Sequence, residues 1–233
     1  MSKIEYILEK KTLSKQDKEY LATYEPNEGQ DALYSFFTPI WLAKIIYNLA
    51  IRYGFNEKTG KILEPSAGTG NFLEVAKYPK NVTAFELNNL NYKIAKKRVP
   101  EVKYFYNNYF ETAFLKPERY TQKLGKQVTW LNDYPFDLVI GNPPYGKYKN
   151  LYSGYFKNLK FKQTEQFFIY QGLKLLKKGG ILAYIIPSGF LRNDYRFEKK
   201  RIGELAEFVD AYRLPKVFKN TEIPTDIIIL KRI

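Results

Sequence analysis

Apolar and polar positions change period several times along the chain, and each change marks an element. Residues Ile4 to Tyr24 are polar and weakly amphipathic, which predicts one or two helices outside the main sheet. The segment Glu25 to Ser35, with Pro26 and Gly29, reads as a loop. Ile40, Trp41, Ala43, Ile45, Ile46, Leu49, Ala50 and Tyr53 then recur at helical spacing. Thr38 is the expected N-cap of this helix, Pro39 suits its first position, and Gly54 closes it. From Lys61 the pattern alternates. Short apolar runs predict strands at Lys61 to Leu63, Thr83 to Leu87, Val102 to Tyr106, Phe136 to Ile140, Ile181 to Ile186, Glu207 to Tyr212 and Asp226 to Leu230. Helices are expected to begin near Asn71 and to cover Asn91 to Val99, Thr164 to Lys178 (stopped by Gly179-Gly180) and Arg196 to Ala206. The alternation predicts an α/β fold, a mainly parallel sheet with helices on both faces.

Two turns in this pattern can carry chemistry. Phe136 to Ile140 is a short run typical of a strand covered on both faces, and it enters Gly141-Asn142-Pro143-Pro144-Tyr145. Two prolines fix φ and forbid helix or ladder, so one amide and one phenol ring are held at a strand's carboxyl end, where open α/β sheets bind ligands. The second turn is Glu64-Pro65-Ser66-Ala67-Gly68-Thr69-Gly70, leading into a helix N-terminus suited to close ligand approach. It is neither GxGxxG nor a P-loop. Glu86, at the end of the next strand, is placed to accept both hydroxyls of a ribose. Taken singly, each has a plainer explanation: a proline turn, a steric glycine turn, a solvated strand-end acid.

Composition narrows the choices. The 233 residues suffice for one sizeable domain, and 45% hydrophobic residues suffice for a core. There is no cysteine and no histidine, which excludes disulfides, thiolate or imidazole zinc sites, cysteine nucleophiles and Ser-His relays. Lys+Arg number 38 against 24 acids, a net +14 that favours a polyanionic partner, nucleic acid first. No signal-peptide core or membrane-length apolar run is present, so a soluble cytoplasmic protein without membrane contact is expected.

The order of these motifs resembles S-adenosylmethionine-dependent DNA adenine-N6 methyltransferases of the gamma class, similar to the catalytic domains of type IIG and type I modification enzymes. The resemblance rests on Phe36-Phe37-Thr38-Pro39, on Ser66 to Phe72 after Glu64-Pro65, on Asn142-Pro143-Pro144-Tyr145, on Leu176 to Pro187 and on Phe218 to Ile229, and covers roughly residues 34 to 233. It implies a Rossmann-like seven-stranded sheet with the last strand antiparallel. It further implies a catalytic domain over 36–233, a helical extension over 1–35, and no target-recognition domain within this sequence. Glu64, Ser66, Ala67, Gly68 and Gly70, with Thr38 nearby, would line the methionine end of S-adenosylmethionine, and Glu86 would hold its ribose. Asn108 stands where the family has an Asp that accepts from the cosubstrate's adenine amine, and its carbonyl can do the same. Asn142 and the Pro143 carbonyl, supported by Pro144, would accept from the target N6 amine and localise its lone pair for an in-line displacement. Tyr145 would stack on the flipped base, a contact worth about 1–3 kcal/mol, and Phe218 matches the family's second aromatic against that base.

Between Tyr145 and Thr164 the chain interleaves Lys147, Lys149, Lys157, Lys160 and Lys162 with aromatics and contains no acid, which suggests a loop that contacts DNA phosphate. Its plainer alternative is a solvated lysine-rich insertion. Lys96-Lys97-Arg98 and Lys199-Lys200-Arg201 read as ordinary helix surfaces. The Asn-Pro-Pro-Tyr turn also serves methyltransferases of RNA bases and of glutamine amides, so these stay open, as does a non-catalytic nucleic-acid-binding subunit. A metal-dependent nuclease rests on Glu101-Val102-Lys103 alone and lacks a partnered acid. Sequence selection is expected from a separate specificity domain or subunit.

Overall fold

A computed structural model describes residues 2–24, 37–106, 135–147, 161–218 and 221–233. Three short strands open the sheet: β1 (Ile62–Glu64), β2 (Val82–Phe85) and β3 (Tyr104–Tyr106). They are followed by β4 (Phe136–Gly141), β5 (Leu176–Pro187), β6 (Ala206–Arg213) and β7 (Thr225–Arg232). The spatial order is β3-β2-β1-β4-β5-β7-β6. β1 pairs in parallel with β2 and β4, as do β2 with β3 and β4 with β5, whereas β7 runs antiparallel to both β5 and β6. This is the seven-stranded, mainly parallel sheet expected, with its last strand reversed. Order reverses between β1 and β4, which opens a crevice at their carboxyl ends.

Helices cover both faces. On one side lie α3 (Ile40–Arg52), α4 (Asn71–Val75) and α5 (Asn89–Arg98). With Ile62, Leu138, Ile140, Ala183 and Ile185 of the strands they form one apolar cluster. On the other side α6 (Thr164–Leu175) and α8 (Arg196–Gly203) pack on Leu63, Val139, Leu182 and Tyr184. A one-turn helix, α7 (Gly189–Arg192), follows β5. The polar N-terminal stretch forms α1 (Lys3–Glu9) and α2 (Lys15–Ala22), each opened by a serine capping box. Ile4, Ile7 and Leu21 bury against Ile94, so these helices dock on the outer side of α5, away from the sheet. No helix among the described residues is long and apolar enough to cross a membrane.

Three local expectations need correction. The cap of α3 lies one residue later than the sequence suggests: Pro39 occupies it without a side-chain bond, and Thr38 is left outside the helix with its hydroxyl buried. The buried face of that helix is Leu42, Ala43, Ile46, Tyr47 and Ala50, while Ile40, Trp41 and Ile45 are exposed, because the helix is apolar nearly all round and periodicity could not choose a face. Finally, α6 ends at Leu175 and β5 already begins at Leu176. Gly179-Gly180 sits in an irregularity of β5, where pairing jumps from Phe136↔Leu176 to Leu138↔Ile181.

Candidate active site

β1 ends on Glu64, which is completely buried. The Ser66 N–H donates to its Oε1 at 3.0 Å, and its Oε2 has no hydrogen-bond partner among the described residues. Burial pushes this carboxyl well above the ordinary carboxylic range, the Ser66 amide opposes the shift, and the charge of Glu86 adds to it. The carboxyl lies against the backbone of Gly141: a Cβ there would sit 2.5 Å from Glu64 Oε1, so only glycine permits β4 to end beside this acid.

The loop after β1 is folded by its own backbone. Ala67 N–H donates to Phe85 O at 2.9 Å, tying it to β2, and Gly70 N–H donates to Ala67 O at 2.9 Å. Gly70 caps α4 with φ +93°, and a Cβ there would meet Ala95 Cβ at 2.9 Å. Glu86, just beyond the end of β2, accepts from Gly68 N–H and Asn88 N–H at 2.7 Å each. Burial raises its pKa, and the surrounding amides of Asn88, Gly68 and Leu87 hold it back. Leu87 beside it is an exposed apolar side chain.

Phe37, Thr38, Ser66, Gly68, Asn71 and Asn142 line a small open pocket. Ser66 Oγ donates to the Asn142 carbonyl at 3.2 Å, joining the glycine loop to the Asn-Pro-Pro-Tyr turn. The Thr38 hydroxyl has no partner among the described residues. Asn142 Oδ1 accepts from the Tyr145 hydroxyl. Tyr145 itself is buried, and that burial together with the charge of Glu165 raises its phenol pKa well above the usual range. Glu165 is buried in the first turn of α6, where burial lifts its pKa to about 7 against the pull of the Glu165 and Gly146 amides.

Of the residues singled out in the sequence, Thr38, Ser66, Ala67, Gly68 and Asn142 thus meet at one pocket, with Glu64, Gly70 and Glu86 supporting its walls. Pro143 and Pro144 form the turn beyond Asn142, with Pro143 buried. Phe218, in the β6–β7 connection, is not among the residues lining this pocket and is buried with the α3-side cluster. Lys147 is exposed and forms an isolated antiparallel bridge with Gln163. Asn108, Lys149, Lys157 and Lys160 lie outside the described residues.

The sequence reading missed one residue of this architecture. Arg98, expected on the helix surface, is buried and bonds the Thr69 carbonyl, Asn71 Oδ1 at 2.8 Å and the Glu74 carboxylate. Asn71 in turn donates to Thr38 O at 2.8 Å and Ala22 O at 3.4 Å. One guanidinium therefore braces the glycine loop, the start of α4 and the segment leading into α3. The signal was available: Asn91, Ile94, Ala95 and Arg98 repeat at helical spacing and are the buried face of α5.

Residues 71–214, more than half of the chain, match the Eco57I restriction-modification methylase family. Type II methyltransferase M.AccI of Acinetobacter calcoaceticus is 31% identical over 173 residues, which cover 69% of this chain and 29% of that protein. Defense against restriction protein B of Escherichia phage P1 is 26% identical over 231 residues, covering 95% of this chain and 9% of that protein. The chain thus spans less than a third of the length of these relatives. A methyltransferase subunit of a type I restriction-modification system from Streptococcus thermophilus shares the fold at a TM-score of 0.68 and 23% identity, over 93% of this chain and 48% of that one. The chain belongs to the Eco57I restriction-modification methylase family.

Proposed function

We propose that this chain transfers a methyl group from S-adenosylmethionine to the N6 amine of an adenine in DNA. The observation that carries the proposal is the bond from Ser66 Oγ to the Asn142 carbonyl, which joins a glycine-rich nucleoside-type loop and an amine-accepting turn at one pocket. The residues suit the cosubstrate. Glu86 offers acceptors for ribose hydroxyls, with the exposed Leu87 beside it for an adenine face. Among the described residues the buried Thr38 hydroxyl and Glu64 Oε2 have no hydrogen-bond partner, and either would serve as an acceptor for a methionine end with its ammonium. When bound, S-adenosylmethionine supplies an electrophilic sulfonium methyl, so the protein needs no nucleophile of its own.

On the acceptor side, Asn142 Oδ1 and the Pro143 carbonyl accept hydrogen bonds from the two amine N–H groups, which draws the nitrogen lone pair out of conjugation and toward the methyl; the neutral thioether leaves, and the cationic product amine releases one proton to solvent. Asn142 Oδ1 already accepts from the Tyr145 hydroxyl, so an entering amine replaces one donor with another rather than desolvating a bare oxygen. Release of that bond turns the Tyr145 ring toward the base, on which it stacks, and Phe218 supplies a second aromatic surface. Lys147 and the basic segment after it, with Lys149, Lys157 and Lys160, contact the phosphates of the duplex. Residues 36–233 are the catalytic domain in this proposal, with sequence choice supplied by further chain or by a separate subunit.

The test is transfer of a tritiated methyl group to DNA, RNA and protein substrates, followed by nucleoside and amino-acid analysis. N6-methyladenine in DNA, lost in Asn142→Ala, is the expected result. Label confined to RNA or to glutamine would replace the substrate in this proposal. No transfer to any acceptor, with no calorimetric binding of S-adenosylmethionine, would overturn it.

A further inference from the structure

Asn71, the first residue of α4, is buried in the wall of the pocket, yet its amide is turned to the protein. Nδ2 donates to the Thr38 carbonyl at 2.8 Å and, over a longer 3.4 Å, to the Ala22 carbonyl. Oδ1 accepts from Arg98 Nη1 at 2.8 Å. A guanidinium cannot accept and a carbonyl cannot donate, so these partners allow the amide a single orientation. Both of its donors are committed, and Asn71 offers an entering ligand no N–H.

The two carbonyls belong to different parts of the chain. Ala22 is the last residue of α2, whereas Thr38 precedes α3 and lines the pocket together with Phe37. The Phe37 ring stands over Gly68, where a Cβ would lie 3.3 Å from its Cδ1 and Cε1. The N-terminal helices are held from behind as well. Lys10, at the end of α1, pairs with Asp17 of α2 at 2.8 Å, and its carbonyl accepts from Lys97 Nζ of α5. Ile4, Ile7 and Leu21 pack with Ile94 of the same helix. Because α5 also sends Arg98 to Asn71, the connections run from α2 to the pocket wall and back through α5.

We infer that Asn71 is a positioning residue for cosubstrate affinity: it holds Phe37 and Thr38 at the pocket, and through the Ala22 carbonyl it makes α1 and α2 part of the cosubstrate site. None of the residues lining the pocket belongs to those two helices, so their contribution is indirect. Asn71 preorganises the segment that meets S-adenosylmethionine and leaves the transfer step alone. The inference rests on the functional proposal above.

Asn71→Asp keeps the size of the side chain, keeps an acceptor for Arg98 and suits the first turn of a helix, while it removes both donors. The expected result is a calorimetric Kd for S-adenosylmethionine at least tenfold weaker, with kcat at saturating cosubstrate within about threefold on the acceptor that the label assay identifies. Thr38→Val should weaken binding in the unmodified protein and add less than about threefold in the Asn71→Asp background, where the hydroxyl is already displaced. Leu21→Ala tests the N-terminal helices against Ile202→Ala, a truncation of another buried aliphatic in the α6-side core. The first should weaken binding at least threefold and the second less than twofold, with circular dichroism checking that both are folded. Asn71→Asp decides the matter even where Leu21→Ala does not fold. An unchanged Kd in Asn71→Asp, a kcat that falls as far as affinity does, a Thr38→Val loss that is absent or fully additive, or equal effects of the two folded core truncations would each overturn the inference. No binding of S-adenosylmethionine by the unmodified protein would defeat the functional proposal, and this inference with it.

Discussion

Replacing Arg98 with methionine removes the brace behind the glycine loop while keeping a side chain of similar length. Arg98 is 1% exposed in its side chain and serves three acceptors: the Thr69 carbonyl, Asn71 Oδ1 and the Glu74 carboxylate. Glu74 is 39% exposed in its side chain and rehydrates easily, so its share of the loss is small. The Thr69 and Asn71 oxygens belong to buried residues and lose their donor, at a cost of roughly 1–3 kcal/mol each. Against this, the guanidinium is itself desolvated, as the lowering of its pKa by burial shows, and its Nε has no partner among the described residues. Methionine recovers part of that cost. The net expectation is a destabilisation of about 2–4 kcal/mol, or a Tm lower by roughly 5–15 °C for a domain of this size. Because Thr69 and Asn71 line the pocket, S-adenosylmethionine affinity should fall about tenfold, the equivalent of ~1.4 kcal/mol of lost preorganisation. Circular dichroism melting and calorimetric titration measure the two quantities. A methionine variant that melts within 2 °C or so of the parent, or above it, and binds the cosubstrate normally would show that Arg98 is ballast and not a brace.

Other outcomes follow from the same geometry. Gly141→Ala forces a Cβ to within 2.5 Å of Glu64 Oε1, and displacing that buried acid should cost about 1–3 kcal/mol in urea unfolding; unchanged stability would mean that Glu64 can turn away freely. Glu86→Ala removes the acceptors assigned to the ribose and should weaken S-adenosylmethionine binding by roughly 10- to 100-fold, the worth of charge-assisted hydrogen bonds; titration calorimetry decides. Glu165, raised from 4.5 to about 7, holds its proton longer in the folded chain than in the unfolded one. Its contribution to stability is therefore complete below about pH 4.5 and is lost as pH rises through 7, an effect of about 3 kcal/mol. Glu64 shifts in the same direction, so the informative quantity is the stability difference between Glu165→Gln and the parent at pH 5 and pH 8. A difference that does not change between these pH values would refute the assignment.

Much of this was legible in the sequence because local signals agreed with the global fold. Short apolar runs between amphipathic stretches placed six of the seven strands to within two residues, β5 beginning five residues earlier than expected, and the ordered motifs pointed to the family that residues 71–214 match. The misses have separate physical causes. Helix α3 is apolar on nearly every side, so its spacing could not distinguish the core-facing Leu42 and Ile46 from the exposed Trp41 and Ile45. Gly179-Gly180 looked like a helix stop because glycine pairs end helices more often than they interrupt strands. Arg98 was hidden by two lysines beside it, and charge identity outweighed a periodicity that pointed inward. Glu165 left no trace, because its burial in the first turn of α6 is set by tertiary packing and not by any local pattern.

The place of β7 in the sheet bears on how the chain comes to be folded at all. β7 lies between β5 and β6, and among the described residues β6 has no other neighbour in the sheet. A ribosome emits β6 some dozen residues before β7, at which moment β6 has no strand to receive it. The parallel half, β1 to β5, can assemble as it is synthesised, whereas β6 must wait for residues 225–232 to emerge and slot in against Ile181 to Pro187. Closure of this sheet thus waits on β7, and shortening β7 should release β6 along with it.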